Sequence, residues 1–168
     1  NLAILQGAGT NVDIGAHIGT YTWNLAPDFK HTYSFEPTKV TYNFLCSNIL
    51  IKGLSDKVDA YNIALSESPK VMTFYERGED GGTNGLNLDY NDGKWLGNNQ
   101  EGYELPVLQG AIQTIQNNGY PPILFESWPS INKTNTKLKD NLFNYLFALG
   151  YTIGSTPHPE IYIAIKEI

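Results

Sequence analysis

The stretch Asn11-Val12-Asp13-Ile14-Gly15-Ala16-His17-Ile18-Gly19 decides how the chain reads: a short apolar strand carries an acid near its end, a glycine turn follows, and a helix begins. Gly15 lets the backbone turn sharply and approach a ligand that a Cβ would block, and Gly19 suits a place where the helix packs close to the strand. Ile18, Tyr21, Thr22 and Leu25 then recur at the spacing of one helix face, and the helix start offers unpaired backbone N–H groups. This is the local physics of a nucleotide-type cofactor site.

Outward from that turn, apolar spacing switches repeatedly between the strand and helix periods, the mark of an α/β domain. Residues 31–35 read as a second strand. Thr38 is placed to cap a helix running to about Ile51, with Val40, Phe44, Leu45 and Ile49 as its buried side and Gly53 as its stop. Residues 58–64 make a third strand, and 71–75 a β-rich piece able to pair beside it. From 77 to 100 the pattern dissolves into Gly, Asn and Asp, a long loop for a compact domain. Order returns with a helix over 104–116, a strand over 122–126, and a helix with Leu138, Leu142, Tyr145, Leu146 and Leu149 on one side. Residues 151–154 and 161–165, divided by Pro157 and Pro159, read as an antiparallel C-terminal hairpin.

Glu36 ends the second strand about 20 residues beyond the turn, where a Rossmann-type fold sets an acid against ribose hydroxyls. Pro37 then breaks the strand. A dinucleotide site usually has a second glycine where His17 stands, so that a pyrophosphate can come close, and Asp13 puts negative charge beside the turn. A cofactor with a cationic centre and no phosphate suits that charge better than NAD. S-adenosylmethionine, with its sulfonium and α-ammonium, answers the description.

Five blocks carry a wider resemblance: 12–22 (Val-Asp-Ile-Gly-Ala-His-Ile-Gly-Thr-Tyr-Thr), 34–37 (Ser-Phe-Glu-Pro), 62–65 (Asn-Ile-Ala-Leu), 101–111 (Glu-Gly-Tyr-Glu-Leu-Pro-Val-Leu-Gln-Gly-Ala) and 123–126 (Ile-Leu-Phe-Glu). In this order, and across nearly the whole chain, the sequence resembles the FkbM-type methyltransferases. The resemblance implies a Rossmann-like class I methyltransferase fold, a three-layer sandwich with a mostly parallel sheet. It implies S-adenosylmethionine as cofactor, commonly for O-methylation. It also implies that Asp13, Gly15, Ala16, His17, Ile18 and Gly19 surround the methionine part, that Glu36 and Pro37 lie at the ribose, and that Ile63, Ala64 and Leu65 lie near the adenine.

Two departures qualify it. His17 replaces the family's asparagine, and both types tolerate a left-handed backbone, so His17 reads as a turn residue before it reads as a base. The family's fourth, central strand should precede Glu101-Gly102, yet residues 97–100 are Gly-Asn-Asn-Gln, too polar for a buried strand. We therefore expect a single methyltransferase domain over 1–168, incomplete near 97–101 and, since the chain opens on Asn1 rather than Met, at its N-terminus.

Direct displacement at a sulfonium needs an aligned nucleophile and, for an alcohol, a general base. Glu101 and Glu126 are the candidates, with Glu104 and His17 behind them. Trp128, Trp95 and Tyr90 are available to wall a pocket. Ser127 and the three histidines have no triad spacing, which leaves hydrolase chemistry without support. A nicotinamide oxidoreductase and a non-catalytic binding module remain open alternatives.

The 168 residues, 41% hydrophobic and 17% charged, suffice for one core. A net charge of −6 argues against nucleic acid or an anionic membrane and for a small-molecule or glycan acceptor. No apolar run reaches the length of a membrane span, and no signal peptide is recognisable. The single Cys46 forms no internal disulfide and fits a reducing, cytoplasmic setting.

Overall fold

The structure, a computed structural model, describes residues 9–71, 74–75, 85–86, 103–127 and 133–167. They fall into two compact units, one running through Leu65 and the other comprising 66–71 and the chain from 85 onward, with the short strand β4 (Phe74–Tyr75) assigned to the first.

The first unit is a β-α-β-α-β run. Strands β1 (Thr10–Ile14), β2 (His31–Phe35) and β3 (Val58–Tyr61) form a parallel sheet in the order β1-β2-β3, with Asp13 opposite Ser34 and Ser34 opposite Ala60. Helix α1 (Thr20–Leu25) passes into a 3-10 turn (Ala26–Asp28) at Pro27, which cannot continue the α-helical ladder. Helix α2 (Lys39–Ile51) returns over the sheet, and Leu45 and Ile49 join Ala16, Ala26, Leu54 and Val58 in the core.

That helix differs from the sequence expectation. Its buried stripe is Thr41, Leu45 and Ile49, whereas Val40 is 49% and Phe44 57% exposed. The stripe is rotated because Thr41 reaches inward to donate to Glu36 Oε1 at 2.9 Å, and Leu45 fills the space against Gly19. Strand β3 also stops at Tyr61 rather than at residue 64. Its last ladder bond is Glu36 N to Tyr61 O, and the Asn62 side chain then takes over by donating to the carbonyls of Glu36 and Pro37.

The second unit holds α3 (Glu104–Gly110), α4 (Ile112–Asn117), β6 (Ile123–Glu126), α5 (Lys133–Ala148), β7 (Thr152–Ser155) and β8 (Ile161–Ile165), preceded by the two-residue strand β5 (Gly85–Leu86). The single helix expected over 104–116 is broken at Ala111. Just before the break, a Cβ on Gly110 would collide with the backbone of Ser66. The expected hairpin is present: β7 and β8 pair antiparallel, and β8 also pairs antiparallel with β6, in the order β6-β8-β7. Ile115, Phe125, Leu142, Leu146, Tyr151 and Ala164 make the core, with Phe125 stacked on Tyr162 and edge-on to Phe143. Leu138 lies farther out, 37% exposed.

Among the described residues, β1 is an edge strand with Val12 49% and Ile14 43% exposed, and β6 is an edge strand of the other sheet. Residues 97–101, where the missing strand is expected, lie outside the described residues.

Candidate functional site

The glycine turn is left-handed at Gly15 (φ 76°), His17 (φ 52°) and Gly19 (φ 96°). A Cβ at Gly15 would meet nothing within 4 Å, so the backbone there borders open space, while one at Gly19 would stand 2.7 Å from Leu45 Cδ1. Gly19 therefore permits contact with α2, rather than the close packing of its own helix on the strand. Its cost-free φ and its lack of a side chain are both required.

The turn's amides are directed inward. Gly15 N and Ala16 N both donate to Phe35 O, at 2.9 and 3.0 Å, Gly19 N donates to Ala16 O, and His17 N donates to Glu36 Oε2 at 2.8 Å. These four amides precede the helix start, where unpaired N–H groups are expected, and are themselves taken. Ile18 contributes its carbonyl, which accepts from Asn48 Nδ2 of α2 at 2.8 Å.

Glu36 is the centre of the arrangement. It is 5% exposed, and besides His17 N it receives Thr38 N and the Thr41 hydroxyl on Oε1. Thr38 occupies the N-cap position of α2 as expected, but its side chain does not cap; its amide is bonded to Glu36 instead. One carboxylate thus ties together the end of β2, the glycine turn and the start of α2. A carboxylate offers about four lone-pair sites, so three donors leave capacity for a ligand hydroxyl.

Asp13 lies behind the turn. Thr22 Oγ1 donates to its Oδ2 at 2.5 Å, and Thr22 Oγ1 lies 3.0 Å from Ser34 Oγ. Burial pushes the Asp13 carboxyl above its ordinary value; the Thr22 hydroxyl and amide pull it back, and the charge of Glu36 pushes it up again. A carboxyl raised in the fold costs stability as pH climbs through that value, and a cation held beside it would offset the cost. Beyond β3, Ile63 is 51% exposed, Ala64 is exposed and Leu65 half-buried, while Phe35 and Tyr61 stack with centroids 5.3 Å apart.

The structure thus brings Asp13, Gly15, Ala16, His17, Ile18, Gly19, Glu36 and Pro37 together within the first unit. Thr22, Ser34, Thr41 and Asn48 support them without having been singled out for it. Spacing sets Thr22 on the apolar face of its helix, but hydrophobic periodicity gives Thr41 on α2 no signal. Glu126 belongs to the second unit, at the end of β6, with its carboxyl pushed up by burial first and by Glu160 second, and pulled down by His158. Glu101, Tyr90, Trp95 and Trp128 lie outside the described residues. No cluster of metal-ligating side chains, and no helix long and apolar enough to cross a membrane, occurs among the described residues.

The fold is the Rossmann-like α/β fold of solved methyltransferases. The chain is similar to methyltransferase FkbM from Methylobacillus flagellatus, at TM-score 0.58 and 19% identity over 92% of this chain and 42% of that one. A candidate rRNA methylase from Clostridium thermocellum matches at TM-score 0.63 and 12% identity over 99% of this chain and 93% of that one. SMU.1697c from Streptococcus mutans, solved in complex with SAH, matches at TM-score 0.57 and 13% identity over 95% and 88%. The chain spans less than half the length of the FkbM chain. No protein-family model matches it, and no curated protein matches it in sequence.

Proposed function

We propose that this chain is most of an S-adenosylmethionine-dependent methyltransferase domain acting on a hydroxyl of a sugar, glycan or other small molecule in the cytoplasm. The observation that carries the reading is a glycine turn whose amides at Gly15, Ala16, His17 and Gly19 are taken by protein acceptors, flanked by two carboxylates. A pyrophosphate needs N–H donors and positive potential, whereas these four amides are already taken and the flanking charges are negative. A phosphate-free cation meets open space at Gly15 and negative charge at Asp13 and Glu36.

In this reading Asp13 faces the ammonium or sulfonium, Glu36 accepts a ribose hydroxyl, and the exposed Ile63 and Ala64 cover the adenine. S-adenosylmethionine bound there supplies an electrophilic methyl group. The chain's task is then alignment of the acceptor oxygen, exclusion of water and removal of one proton. Glu126, whose burial already favours the protonated state, is the described candidate for receiving that proton, and Glu101 is the second. The net charge of −6 favours a neutral or cationic acceptor over RNA, although the similar folds include candidate rRNA methylases.

Titration calorimetry with S-adenosylhomocysteine and with NAD tests the cofactor. Binding of the first and not the second is expected; the reverse supports an oxidoreductase, and binding of neither a scaffold module. Methyl-labelled cofactor with candidate glycans and metabolites, read by mass spectrometry, then tests the acceptor.

The edge that β1 leaves unpaired among the described residues supports a second part of the proposal, that the domain's central strand is missing from these 168 residues just before Glu101. Among the described residues β1 is paired on one side only, with β2, and the buried side-chain amide nitrogen of Asn11 on the same strand has no partner. Peptide mapping of the natural protein decides it: a peptide in which Gln100 is followed directly by Glu101 overturns the omission.

A further inference from the structure

Asp13, Thr22 and Ser34 come from three elements and meet in one line: Ser34 is the register partner of Asp13 across β1 and β2, and Thr22 reaches both from α1. Thr22 and Ser34 are both 0% exposed, so their hydroxyls must satisfy each other and the carboxylate. An ionised carboxylate only accepts. Thr22 O–H must therefore point at Asp13, and the Thr22 oxygen accepts from Ser34 O–H.

We infer that Thr22, backed by Ser34, is a positioning residue that holds Asp13 ionised and aimed at the cofactor's cation, so that cofactor affinity depends on pH through this pair of hydroxyls. The inference rests on the cofactor reading above and adds the device that favours the ionised carboxylate. Protonation of Asp13 on Oδ2 would force Thr22 to accept there and to turn its own hydrogen toward Ser34, reversing the line. Protonation on the other oxygen would set a donor against a cation.

Burial opposes the ionised state of Asp13, and Thr22 is the principal group opposing that effect. The other ionisable group that acts on the carboxyl is Glu36 at the end of β2, whose charge also opposes ionisation. Helix α1 carries no ionisable side chain other than the half-exposed Tyr21.

The test is binding of S-adenosylhomocysteine, which retains the α-ammonium, by calorimetry from about pH 5 to about pH 8, on the parent, Thr22→Val, Thr22→Ser and Ser34→Ala, with carboxyl-carbon NMR of Asp13 in the unliganded proteins. Thr22→Val keeps the shape and removes the hydroxyl. Its Asp13 titration should move upward, and its affinity should fall about tenfold at the acid end, narrowing toward alkaline pH. Thr22→Ser should restore the parental profile, and Ser34→Ala should move both readouts in the same direction by less.

A parental Asp13 titration in Thr22→Val, or a loss of affinity equal at every pH, overturns the inference while leaving the cofactor reading intact. A parent that binds no S-adenosylhomocysteine overturns both. Should Thr22→Val fail to fold, as judged by its melting curve, Ser34→Ala carries the same decision.

Discussion

At the C-terminal end of its sheet the first unit buries Ser34, Glu36, Thr38 and Thr41, with Thr22 beside them, whereas the second unit buries Phe125, Leu142, Leu146, Tyr151 and Ala164. Beside an apolar core built on Leu45, Ile49, Leu54 and Val58, the first devotes this end of its interior to hydrogen bonds that meet at two carboxylates. The second spends it on apolar area and on aromatic pairs such as Phe125 with Tyr162. Polar burial is close to neutral for stability when fully satisfied and expensive when broken, so a fold has little reason to concentrate it except where those groups do something. Apolar burial of the second kind is the ordinary source of stability.

The largest expected effect lies on the apolar side. Leu146 is fully buried on α5, and Leu146→Ala should lower unfolding free energy by about 3 kcal/mol, the sum of lost transfer energy and the cavity left behind. Chemical denaturation measures it. At a temperature where the variant remains folded, its affinity for S-adenosylhomocysteine should equal the parent's. A loss of affinity comparable to that of a change at Glu36 would break the division of labour between the two units.

Much of this was legible from spacing alone. Asp13, the glycine turn and Glu36 stand at sequence distances fixed by the length of a β-α-β unit, and apolar runs such as 31–35 and 161–165 have no good alternative to strands. The inner face of α2 was not legible in the same way. Hydrophobic periodicity chose Val40 and Phe44 because it has no means of weighing polar side chains that turn inward, as Thr41 does to meet the buried Glu36 carboxylate and Asn48 does to meet the Ile18 carbonyl. The break at Ala111 was hidden because the close approach of Gly110 to Ser66 joins residues far apart in sequence. For the same reason the direction of the turn's amides could not be read: their acceptors, Phe35 O and Glu36, lie on another strand.

The smaller stability effect, and the sharper functional one, belongs to Glu36→Gln. A glutamine has one acceptor oxygen and an amide that donates, so one of the two positions now occupied by Oε1 and Oε2 would face an N–H with an N–H. Keeping the oxygen toward Thr38 N and Thr41 preserves two bonds and loses one, so the favourable rotamer leaves His17 N unpaired. The cost is then one buried donor, about 1–2 kcal/mol, less than that of Leu146→Ala. It falls on the glycine turn, where His17 already holds a left-handed backbone and donates its amide to Glu36. Melting temperature should drop modestly while affinity for S-adenosylhomocysteine drops about tenfold or more, from a loosened turn and a weakened ribose acceptor together. Unchanged affinity in a folded Glu36→Gln protein would mean that Glu36 serves only as a tie between strand, turn and helix, and the polar interior of the first unit would then have to be explained as scaffolding.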